Sequence, residues 1–119
     1  MILAAVDDLL FSSKIRATAK QAGVDVTFAR SRSEILEQAR TLRPSLILFD
    51  LDSAKTEPIA TLDALRSDPA LAALPTLGFV SHVHAARIEA ARQAGIGDVM
   101  ARSAFATRLP EILLSAGVR

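Results

Sequence analysis

Short apolar runs alternate along this chain with longer segments in which apolar residues recur every three or four positions. The first run, Ile2 to Val6, stops at Asp7-Asp8. Ser12 or Ser13 is then placed to cap a helix reaching Ala22, with Ile15 and Ala19 on one face and Gly23 as its stop. Val24 to Phe28 is rich in β-branched residues and reads as a second strand. Ser31 and Glu34 have the capping-box spacing, which predicts a helix carrying Ile35, Leu36, Ala39 and Leu42 and closed by Pro44. Ser45 to Phe49 is apolar throughout, the pattern of a central strand covered on both faces, and it ends at Asp50. A polar loop leads to Pro58, which suits a first helical turn, and Ile59, Leu62 and Leu65 follow at helical spacing until Asp68-Pro69. Thr76 to Val80 is a fourth strand, His84 to Ala94 an alanine-rich helix stopped by Gly95, and Asp98 to Ala101 a fifth strand. Thr107 to Ala116 forms the last helix, with Leu109, Ile112 and Leu113 as its stripe.

Five β–α units in succession imply an α/β fold with a parallel sheet wrapped by helices through right-handed crossovers. The 119 residues suit one domain spanning 1–119, with no linker or internal repeat to divide it. A formal net charge of +1 and scattered Arg and Lys side chains give no footprint for nucleic acid. No run is long and apolar enough to cross a membrane, and the two early aspartates with no basic lead argue against a signal peptide. A cytoplasmic location is the expectation. There is no cysteine, which removes disulfides and thiolate chemistry. No glycine-rich phosphate loop follows the first strand, so a dinucleotide binder is disfavoured, and no hydrolase-type triad is visible.

In sheets of this kind the functional crevice lies at the carboxyl ends of the strands. The residues found there are Asp7, Asp8, Asp50, Ser81 and Arg102: three carboxylates, a hydroxyl and a cation drawn from four strands. Massed carboxylates repel one another, and a hard divalent cation relieves that repulsion. His82 and His84 are two apart, a spacing that does not place both rings on one helix face for a metal.

The segments LAAVDDLLFSSKI, SLILFDLD, ALRSDPALAALPTL, TLGFVSH and QAGIGDVMARSAF, in that order, resemble the receiver domain of bacterial two-component response regulators over essentially the whole chain. The resemblance implies a single flavodoxin-like (βα)5 doubly wound domain with strand order 2-1-3-4-5. It implies that Asp50 takes a phosphoryl group from the phosphohistidine of a histidine kinase or phosphotransfer protein. Asp8, Asp50 and the carbonyl of Asp52 would hold Mg2+, with Asp7 acting through water, while Ser81 and Arg102 would meet the phosphoryl oxygens. Such a domain is a substrate that assists its own modification, not an independent enzyme, and its partners are other signalling proteins or, as a homodimer, a second copy. No effector segment follows the fifth helix in this sequence.

Four positions depart from the family pattern. Arg102 replaces a lysine, Ser103 replaces the proline that follows it, Val99 replaces the switch aromatic, and His82 stands where a small residue is usual. Arginine keeps the charge but is a bulkier planar fork. These changes fall on the activation machinery and raise the alternative of a pseudo-receiver, an interaction module that works without phosphorylation.

Overall fold

The computed structural model describes residues 1–81 and 84–117. Its elements are β1 (Ile2–Ala5), α1 (Leu9–Ala22), β2 (Val26–Phe28), α2 (Arg32–Leu42), β3 (Leu46–Asp50), α3 (Pro58–Ser67), β4 (Thr76–Val80), α4 (Ala85–Gln93), β5 (Asp98–Ala101) and α5 (Arg102–Gly117). The strands form one parallel sheet in the order β2-β1-β3-β4-β5, which is the flavodoxin-like order expected from the resemblance.

Side-chain alternation along the strands builds two cores from one sheet. Leu3, Ala5, Ile47 and Phe49 point to the face covered by Ile35, Leu62, Leu65 and Ala91 of α2, α3 and α4. Ile2, Ala4, Leu48 and Phe79 point to the opposite face, covered by Ile15 and Ala19 of α1 and by Phe105, Leu109 and Leu113 of α5. Asp50 shares the parity of Leu46 and Leu48, so it projects toward the α1 and α5 side. Its cross-strand partner there is Phe79.

Two helix starts differ from the sequence expectation. The cap of α1 is Asp8, whose Oδ1 accepts from the Phe11 amide at 3.0 Å, whereas Ser12 is buried and donates to the Val6 carbonyl. A carboxylate at the positive end of a helix is the better cap, and it gives α1 an extra turn that carries Phe11. Helix α5 begins at Arg102, directly after β5, five residues earlier than the apolar stripe indicated. The capping of α2 matches its expectation, with Ser31 Oγ accepting from the Glu34 amide at 3.2 Å. No described helix is long and apolar enough to cross a membrane.

Candidate functional site

Asp50 ends the central strand with its side chain only 3% exposed. One oxygen, Oδ1, accepts from the Asp52 amide at 3.0 Å; the other, Oδ2, faces Arg102 Nη2 at 3.3 Å. Burial pushes the Asp50 carboxyl up from its ordinary value. The Asp52 amide and the Arg102 charge oppose that rise, while the carboxylates of Asp52 and Asp7 add to it, and the net direction is upward.

Arg102 reaches a second carboxylate with its other terminal nitrogen, Nη1, which lies 4.0 Å from Asp8 Oδ2. Its guanidinium also rests on aromatic faces. The Arg102 Cζ is 5.1 Å from the centroid of the Phe11 ring and 5.8 Å from that of Phe79. These rings belong to a stack: Phe11 and Phe79 are 4.8 Å apart, Phe79 and Phe105 4.4 Å, and Phe11 and Phe105 5.7 Å, all near parallel. Arg102 Nε is buried and finds no acceptor among the described residues. One guanidinium thus takes charge compensation from two carboxylates and quadrupolar attraction from two rings.

Asp52 is recruited elsewhere. Its Oδ2 accepts from the Ser81 amide at 3.1 Å, and its Oδ1 faces His84 Nδ1 at 2.7 Å and Arg87 Nη1 at 2.8 Å. A carboxylate oxygen only accepts, so His84 Nδ1 carries the hydrogen of that contact. Burial raises the Asp52 pKa, but His84, the Ser81 amide and Arg87 outweigh it and hold the carboxyl below its ordinary value. This latch ties the β3–α3 loop to the segment that leads into α4.

The expected residues therefore divide into two groups. Asp8, Asp50 and Arg102 meet directly, and Asp7 is near enough for its charge to act on Asp50. Ser81 meets Asp52 through its backbone. Val99 is half-buried against the core on the α2–α4 side, and Ser103 is exposed in the first turn of α5. His82 lies outside the described residues. Sequence reasoning missed Phe11, although its spacing to Ile15 and Ala19 is helical, and it missed Arg87.

The Mg2+ expectation fits this arrangement poorly. Asp8 gives one oxygen to the α1 cap and turns the other toward Arg102, and both Asp50 oxygens have partners; the latch engages the Asp52 carboxylate and not the backbone carbonyl expected as a ligand. Among the described residues no three His, Asp or Glu side chains converge to hold a metal ion. Arg102 stands at the place where a divalent ion would relieve the carboxylates.

No protein-family model matches the sequence, and no curated protein resembles it significantly. Solved structures do. A response regulator from Hahella chejuensis superposes with a TM-score of 0.83 at 19% identity, covering 97% of this chain and 92% of that one. A two-component response regulator from Legionella pneumophila gives 0.77 at 22%, covering 96% and 97%. The receiver domain of a sensor histidine kinase from Pseudomonas aeruginosa, solved with a magnesium ion coordinated in its active-site cleft, gives 0.83 at 20%, covering 99% and 97%. The chain has the fold of response-regulator receiver domains.

Proposed function

We propose, from the premise of a receiver fold, that this chain is a signalling module of the two-component type that works by binding other signalling proteins, without a cycle of phosphorylation at Asp50. The observation that carries this reading is the Arg102 guanidinium, which spans Asp50 at 3.3 Å and Asp8 at 4.0 Å and so closes the acid pocket with a charge from its own chain. A buried carboxylate with one oxygen on a backbone amide and the other on a guanidinium has both oxygens engaged by its own chain. Each oxygen keeps a further lone pair, but Oδ2 lies against the guanidinium, which draws off its charge and must move before phosphorus can approach in line.

A second reading is favoured by the placement of Asp50 at the end of the central strand with a cation beside it. In that reading the phosphoryl group leaves the nitrogen of a partner's phosphohistidine as an Asp50 oxygen attacks, so that a P–N bond breaks and a P–O bond forms. Arg102 then swings from the carboxylate to the new phosphoryl oxygens, for which its fork is well shaped. Intact-mass measurement after incubation with acetyl phosphate and Mg2+ separates the readings. The interaction-module reading expects no phosphate-sized increment over a wide range of donor. A stoichiometric increment that disappears in Asp50→Ala overturns it in favour of the second.

A further inference from the structure

We infer that Phe11 and Phe79 form a seat that fixes Arg102 as the resident cation of the acid pocket and thereby excludes a divalent ion from it. The inference rests on the same Arg102 ion pair as the interaction-module reading and says what keeps that pair in place.

An arginine on a surface normally wanders, because holding a long side chain in one geometry costs entropy and water screens its partners. Three features act against wandering here. The carboxylate of Asp8 caps α1 through the Phe11 amide at 3.0 Å, so the residue that pairs with Arg102 also sets where Phe11 stands. Phe79 is fully buried and is the register partner of Asp50, so its ring is fixed beside the carboxylate by the β3–β4 ladder. Phe105, one turn into α5 from Arg102, completes the stack at 4.4 Å from Phe79 and holds the start of that helix to the same rings. The guanidinium is thus placed by three elements at once, with ring faces at 5.1 and 5.8 Å.

Selectivity follows from the chemistry of the seat. A guanidinium is weakly hydrated and loses little on leaving water for an aromatic face. A divalent ion such as Mg2+ dehydrates reluctantly and requires oxygen ligands in near-octahedral geometry, which two phenyl rings do not supply. As long as the rings hold Arg102 at Asp50 and Asp8, an entering dication meets a like charge and two carboxylates whose oxygens are engaged. Phe11 is in this sense a positioning residue that determines which cation the pocket holds.

The test is thermal melting of the whole chain in EDTA and in about 10 mM Mg2+, on the wild type, Phe11→Leu, Phe11→Tyr and Arg102→Met. Phe11 is half-buried, so leucine keeps most of the packing while removing the ring face. The wild type and Phe11→Tyr should melt within about 1 °C in the two solutions. Phe11→Leu should melt lower in EDTA and regain about half of the loss or more with Mg2+, since an unseated Arg102 yields its place to the ion. Arg102→Met, which leaves the carboxylates without a cation, should gain about 5 °C from Mg2+ if the ion is in roughly tenfold excess over its dissociation constant.

A Phe11→Leu loss of equal size in both solutions would mean that the ring serves packing alone and would overturn the inference. So would a wild type that gains as much from Mg2+ as Phe11→Leu does. Should Arg102→Met fail to fold, the wild type and Phe11→Leu decide the matter between them. A phosphate increment on Asp50 would remove the interaction-module reading without touching these melts, so the two failures are told apart.

Discussion

Replacing Asp52 by alanine should cost about 2–3 kcal/mol at neutral pH. The carboxylate receives three donors. Two of them, His84 and Arg87, have side chains 39% and 48% exposed, so screening holds each contact to about 0.5–1 kcal/mol. The third, the Ser81 amide, is half-buried and loses its only acceptor among the described residues, at a cost of about 1 kcal/mol. For a chain of this length that total corresponds to a melting temperature lower by about 8–12 °C. The pH dependence is diagnostic. With the folded pKa of Asp52 below the unfolded one, its contribution is complete above the ordinary value of 3.8 and is lost as pH falls from there through the folded value. The gap between wild type and Asp52→Ala, measured by urea unfolding, should shrink as pH falls below about 4. A variant that melts within about 1 °C of wild type at pH 7, or a gap that persists undiminished at pH 3, would refute the latch.

Asp50 should behave in the opposite sense. Its folded pKa is raised, chiefly by burial, so the folded chain binds this proton more readily than the unfolded one and stability falls as pH rises from 3.8 through the folded value. Asp50→Asn, neutral and of the same shape, should therefore gain on wild type as pH rises above 3.8; a difference in urea midpoint that stays constant from about pH 3 to pH 7 would contradict this. Arg66 donates to the carbonyls of Gly95 (2.8 Å), Ala72 and Leu74 and to Thr76 Oγ1 (3.0 Å), joining the end of α3 to β4 and to the turn before β5. Arg66→Ala should lose about 2–3 kcal/mol, and amide exchange at Gly97, whose N–H is held by the same Thr76 hydroxyl at 2.8 Å, should accelerate; a loss below about 0.5 kcal/mol would show that water replaces these bonds.

The alternation of apolar runs carried the sheet and its four crossovers because each inner strand must bury both faces and each helix one. The caps show where local reading stops. Ser31 was legible because its partner is three residues away, whereas at α1 two serines and two aspartates compete, and Asp8 caps on the Phe11 amide while Ser12 is buried. The meeting of Asp8, Asp50 and Arg102 was legible as a consequence of topology, since each lies at or within a few residues of the carboxyl end of a strand. What Asp52 does was not. Its partners lie 29 to 35 residues away, on a segment whose approach depends on how α4 packs, and no periodicity reports that. The seat of Arg102 needed the same non-local information, because Phe11, Phe79 and Phe105 look like ordinary core residues one at a time.

Helix α5 leaves β5 with no connecting loop, and its first residue is Arg102. The helix is therefore a rod whose foot stands in the acid pocket and whose shaft, at 16 residues, extends about 24 Å away from it. Such a rod has no slack at its base, so a tilt of the shaft would move the guanidinium against its carboxylates. Pro110 lacks the N–H that would meet the Ala106 carbonyl, so the ladder is interrupted there, yet Leu109 and Leu113 on either side of it are fully buried against the sheet. Both halves of the rod are therefore bolted to the same core on which its foot stands.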